Sequence, residues 1–421
     1  MTKSFTKPNT PLGADVRGVP VSYNDTYAIA ALDAAITNSL VHQGKPIAEI
    51  NTVLKEHPDF IMGWLFKVGS LTQWMEKRVH KVMIMALAEA EKRVAFANER
   101  EQGHLRAIKA WIEGDFFGAI KFWEDVLLRY PHDLWALEQA HLGNVLIGDV
   151  SGTLDVVKRA SNVWDENVPG YEFFLGFLSF GLEENRDFSH AEDIARQAIS
   201  LRQDHPYAAH TIAHVMEMRG HQLEGIQFLK KNAAALLWRL ELVGQETGDR
   251  WVHLAKKWGS AASDLIYVFN DMHAMLCFSG DKRKGAQEAL ISANEQSART
   301  SLSSNAILSR EVGLLIFKVL RDFSNNEYGS CVDWVLQVHR QIYRIGDSAA
   351  QRDLIHWTAT EAALRGKYFE LALALSSERT AAKPTSPQNW RLAARAFHGG
   401  GDQNNAAKAN EKAELLLIQN D

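Results

Sequence analysis

Two Gly-Asp pairs, Gly114-Asp115 and Gly148-Asp149, stand 34 residues apart, each between two runs with helical apolar spacing. That spacing is the period of the tetratricopeptide repeat, a helix–turn–helix unit. One such unit cannot bury its own apolar face, so copies must stack and share a continuous core. The clearest copy covers residues 100–133. It carries Ala107 on its first helix, the Gly114-Asp115 turn, then Ala119, Trp123, Val126 and Pro131. The alanines let two helices approach closely, Trp123 fills the gap toward the next unit, and Pro131 blocks helix continuation. A second copy spans 134–167, and a third places Ala191, Ala195 and Ala198 on its second helix and ends near 204–206. Degenerate copies are marked by Leu54 and Pro58 near one end, and by Gly366-Lys367-Tyr368 and Ala372 near the other.

The remaining chain agrees with this pattern. Only 10 of 421 residues are proline, roughly half of average usage. Residues 27–36 are alanine-rich with an apolar stripe, and alanine is the best helix former. No segment holds several residues of β-branched alternation, so no strand is expected. The predicted fold is all-α, a tetratricopeptide-like helical-repeat solenoid, or α-α superhelix. Residues 1–20, punctuated by Pro8, Pro11, Gly13, Gly18 and Pro20, read as a flexible arm, and 21–421 as a single repeat domain.

Charge narrows the partners. With 46 basic and 51 acidic residues the net charge is −5, which argues against bulk binding to nucleic acid or an acidic membrane. No run of 18 apolar residues suggests a membrane span. The first twenty residues lack a signal-length apolar run, which predicts a cytoplasmic location. Cys277 and Cys331 are then expected to be reduced core thiols rather than a disulfide framework.

Seven motifs make the pattern more specific than a generic repeat: DFIMG (59–63), REQGH (100–104), HTIAHVMEM (210–218), FNDMH (269–273), SREVGL (309–314), GDSAAQRD (346–353) and ERTAAKPTSP (378–387). In this order they resemble the tetratricopeptide repeat protein 38 family over about residues 20–390. The resemblance implies an all-α repeat fold and little about activity. It also implies a deletion near residues 230–236. Family members carry one or two further helical hairpins, with a second His-rich motif, after the stretch matching 225–229. Here 228–232 passes almost directly into 236–240.

Four clusters carry chemistry. His210, His214 and Glu217, at i, i+4 and i+7, project from one helix face. Two histidines one turn apart chelate a divalent metal such as zinc, and a carboxylate a turn later serves as ligand or base. The same residues also fit a hydrogen-bonded polar stripe, or metal-free acid–base work. Asn270, Asp271 and His273 interrupt an apolar helix, as an orienting carboxylate beside a general base or as a network fixing repeat register. Arg310-Glu311 and Arg352-Asp353 flank apolar runs, where an arginine holds either an internal carboxylate or the carboxylate or phosphate of a ligand. All four clusters are expected to face one concave cavity if the first helices of successive repeats line it.

Two functions follow. The first is a binding protein that takes a protein partner, peptide or small ligand in its concave face. The alternative is a metal-dependent hydrolase-like enzyme built on His210, His214 and Glu217, with Asp271 and His273 in support, or a degenerate form that keeps the fold after losing the segment that completes the site.

Overall fold

The computed structural model describes residues 13–73, 79–219, 233–259 and 264–420. They are helical nearly throughout and divide into two compact units, Met1–Thr211 and Ile212–Asp421. Each unit is an all-α, tetratricopeptide-like array of antiparallel helix pairs.

In the first unit the successive pairs are Thr26–Leu40 with Pro46–Glu56, Ile61–Thr72 with His80–Glu91, Glu99–Ile112 with Phe116–Arg129, Leu134–Ile147 with Val150–Lys158, and Tyr171–Glu184 with Phe188–Leu201. The Gly-Asp signature has a local cause. Gly114 and Gly148 take positive φ, 82° and 73°, which only glycine adopts without cost. The aspartate after each then caps the second helix: Asp115 accepts from the Gly118 N–H at 2.9 Å, and Asp149 from the Gly152 N–H at 2.8 Å. One dipeptide thus ends one helix and starts the next. Ala107, Ala119 and Trp123 are buried between the helices, and the Trp123 ring lies 5.8 Å from that of Trp111.

The stretch from residue 13 is anchored. Gly13–Ala14 pairs antiparallel with Pro20–Val21, a strand pair too short to leave a periodic trace in sequence. Its loop is tied down by Arg17, which bonds Asp33 at 2.5 Å and Asp15 at 3.1 Å. Beyond the loop, the Ser22 amide donates to Glu101 at 2.9 Å, and its hydroxyl bonds the same carboxylate. Arg100 and Asn98 donate to the Pro20 carbonyl.

The residues beneath form a closed ion cluster. Arg100 Nε meets Asp133 at 2.6 Å, His104 Nε2 meets it at 2.8 Å, and all three side chains are buried. Burial pushes the Asp133 carboxyl up, but the Arg100 and His104 beside it win and hold it well below the usual range. Asp133 also caps Leu134–Ile147 through the Ala136 N–H at 3.1 Å.

The second unit holds Ala233–Leu242 and Arg250–Gly259, then the pairs Val268–Gly280 with Lys284–Thr300, Leu314–Ser324 with Tyr328–Val338, Ala349–Arg365 with Phe369–Ala382, and Pro387–Gly399 with Gln403–Asn420. Ser304–Leu308 runs into Leu314–Ser324 through one π turn, Ser309–Gly313. The break at Gly280 differs from those in the first unit. Its φ is not positive; a Cβ there would sit 2.2 Å from the Trp251 ring, so a glycine is required by the approach of that indole. Most of the expected deletion, with residues 220–232, lies outside the described residues. Among the described residues no helix is long and apolar enough to cross a membrane.

Candidate functional site

The second unit gathers a buried polar site around the starts of two helices. Val268–Gly280 begins where Asn305 clamps the chain: its side-chain oxygen accepts from the Val268 N–H at 2.8 Å, and its amide donates to the Leu265 carbonyl at 2.8 Å. Tyr267, just ahead of the helix, is thereby turned inward. It is 5 % exposed, and its hydroxyl has no hydrogen-bond partner. Burial pushes the phenol up, the charge of Asp347 adds to this, and that of Arg352 opposes it.

Ala349–Arg365 supplies the cationic side. It is entered through Gly346 and Asp347, both at positive φ, 83° and 60°. A left-handed aspartate is uncommon and costs energy that the surroundings must offset. Arg352, one turn into the helix, donates back to the Gly346 carbonyl at 3.2 Å and to that of Asp347. Arg239, from Ala233–Leu242, donates to the Ala350 carbonyl at 2.6 Å.

His273 is the third wall. Its Nδ1–H donates to the Phe269 carbonyl at 3.0 Å, so its Nε2 carries the lone pair. The ring stacks on Trp258 at 5.9 Å. Burial lowers its pKa and keeps it neutral; the Phe269 bond and the Asp347 charge raise it, and Arg239 lowers it further. Asp271, one turn along from Tyr267, is buried as well.

Asp353 has a different fate from its neighbour. Arg379 grips it with two bonds, 2.8 and 3.1 Å, and Lys383 adds a third at 3.1 Å. Burial pushes the carboxyl up, yet these two cations hold it far below the usual range. Nearby His356 is driven by burial to about 4, so it is neutral at pH 7.

Asp271, His273, Arg352 and Asp353 are thus not surface groups of the second unit, whereas Arg310 and Glu311, in the same unit, are exposed. Arg310 is exposed and donates to the Ala298 carbonyl at 3.3 Å, and Glu311 pairs with Arg344 at 2.5 Å. Asn270 is half-buried. On Pro206–Arg219, His210 is exposed, with its ring 6.1 Å from that of Phe180, and His214 is buried. The side chain of Glu217 lies outside the described residues. Sequence reasoning missed Tyr267, Arg239 and Asp347 as site residues. Tyr267 sits in an apolar run and Arg239 in a plain helix, so neither carried a signal; Asp347 had one in its Gly-Asp pair.

No protein-family model matches the chain. Solved structures similar to it include the human IFIT1 dimer with m7Gppp-AAAA, at 11 % identity and a TM-score of 0.38, covering 94 % of this chain and 91 % of that one. Naa15/Naa10 bound to HypK-THB matches at 13 % identity and a TM-score of 0.24, covering 93 % and 64 %. The P58(IPK) TPR domain matches at 15 % identity and a TM-score of 0.24, covering 93 % and 89 %.

Proposed function

We propose that the chain is a helical-repeat binding protein whose second unit takes the anionic group of a small ligand, a carboxylate or phosphate, between Tyr267, Arg352 and Arg239. The observation that carries this is the Tyr267 hydroxyl. It is a buried donor without a partner, and the Asp347 carboxylate and, less strongly, the Arg352 guanidinium both act on it. A buried polar group left unmade costs on the order of 1–3 kcal/mol, so the fold supports it only where something else compensates. An anionic oxygen accepts from a phenol and a guanidinium together, and such charge-assisted bonds are the strong ones. The left-handed Asp347 supports the same reading, because strained backbone gathers where a site is pre-shaped. Neutral His273 adds an acceptor on Nε2 for a ligand hydroxyl or amide.

The test is calorimetric titration of the full chain with succinate, citrate and inorganic phosphate. At least one is expected to bind, with Tyr267→Phe weakening it by about tenfold, the value of one hydrogen bond of ~1.4 kcal/mol. Arg352→Met is expected to abolish it. Absence of binding by all three, or equal affinity in Tyr267→Phe, refutes the proposal.

A further inference from the structure

The last helix pair of the second unit, Pro387–Gly399 with Gln403–Asn420, is tied by side chains that cross between antiparallel helices. Arg391 meets Glu414 at 3.1 Å, and the His398 Nδ1–H donates to Gln403 Oε1 at 2.8 Å. Residues one turn apart share a helix face, so the rung between these two belongs to Arg395, four residues after Arg391, and Asn410, four before Glu414. That rung has no acid on its far side. Arg395 turns instead to Glu361 of Ala349–Arg365, which it bonds at 2.5 and 3.1 Å. A cavity of about 540 Å³ opens there, with Arg395, His398, Gln403 and Asn410 on its polar side. Leu364, Phe369 and Ala407 give it an apolar wall.

The charges at the cavity do not cancel. Glu361 is buried and also receives Arg365 at 3.2 Å, so two guanidiniums share one carboxylate. Arg391 and Glu414 neutralise each other, which leaves one positive charge over. Half of the Arg395 side chain is exposed, and its guanidinium keeps N–H donors beyond the two that Glu361 takes. With Gln403 Oε1 accepting from His398, the Gln403 N–H₂ faces outward from that bond as a further donor. We infer that this cavity binds a small monocarboxylate with a short apolar body, its carboxylate on Arg395 in the open rung and its hydrocarbon against Leu364, Phe369 and Ala407. One spare charge matches one carboxylate. A phosphate dianion exceeds it, an ammonium is repelled by it, and a neutral amide forgoes the charge-assisted bond.

Ligand-observed NMR titration of the full chain tests this. Hexanoate and 3-phenylpropionate are the probes, with hexanamide, hexylamine and acetate as controls. At least one probe is expected to bind, about tenfold or more tighter than every control. Asn410→Asp sets a carboxylate opposite Arg395, as Glu414 stands opposite Arg391, and is expected to displace the ligand and weaken binding by about tenfold or more. Ala407→Phe fills the cavity and is expected to do the same. Both positions are exposed, so neither change threatens the fold. Arg352→Met, at the Tyr267 site, is expected to leave hexanoate binding unchanged. No binding of either probe, equal binding of hexanamide, full affinity in Asn410→Asp or in Ala407→Phe, or loss in Arg352→Met overturns the inference. The two sites share no residue, so failure here is separable from failure of the anion site around Tyr267.

Discussion

Replacing Asp133 by Asn dissects the ion cluster of the first unit. Asn is as good a helix cap as Asp, so the bond from the Ala136 N–H is kept. What is lost is the charge that faces Arg100 at 2.6 Å and His104 at 2.8 Å. Arg100 is then left buried with only the weaker charges of Asp15 and Glu101, and removing one partner of a buried pair costs about 3–5 kcal/mol. Asp133→Ala loses the cap as well, adding ~1 kcal/mol. Arg100→Met combined with Asp133→Asn removes both charges and is expected to recover most of the loss, because a buried pair is often close to neutral against apolar residues. A chain of two units need not unfold in one step. The measurement is therefore native-state hydrogen exchange, followed on peptides from Glu99–Ile112 and Leu134–Ile147. A cost below about 1 kcal/mol for Asp133→Asn, or a double variant no more protected than the single one, refutes the reasoning. The pH dependence has a definite sign. The folded pKa of Asp133 is depressed, so its contribution is complete above the unfolded value near pH 4 and is lost as pH falls below it.

Other outcomes follow from the same geometry. Burial raises the Glu138 pKa to about 7, so the first unit should lose about 3 kcal/mol of protection as pH rises from roughly 4.5 to 7, and Glu138→Gln should abolish that slope in the same exchange experiment. Gly280→Ala pushes a methyl against the Trp251 ring and is expected to cost about 1–3 kcal/mol in chemical denaturation of the second unit; no change would mean the indole moves aside freely. Cys277 and Cys331 are buried, and burial pushes both thiols to about 12, so neither should react with a thiol reagent until the chain is unfolded, as mass spectrometry of labelled peptides would show.

The sequence alone determined the repeat architecture of this protein, because that information is local. A glycine that ends one helix and an aspartate that caps the next act over four or five residues, and their 34-residue recurrence is visible without any fold. Alanines and Trp123 at helical spacing announce burial in the same way. The polar motifs FNDMH and GDSAAQRD were legible as places where charge enters an apolar run, and both supply residues of the candidate anion site. What each residue does there was decided by tertiary structure. Arg352 and Asp353 are adjacent, but a helix turns about 100° per residue, so one reaches toward the Gly346-Asp347 turn and the other is locked by Arg379 and Lys383. Arg310 and Glu311 read like the same kind of pair, yet they fall on a π turn whose outward face meets Ala298 and Arg344. The hairpin at residues 13–21 left no trace either, because what holds it are Asp33, Asn98, Arg100 and Glu101, most of them some 80 residues away. A hydrogen bond of that span has no sequence period, and neither does the missing partner that marks Tyr267.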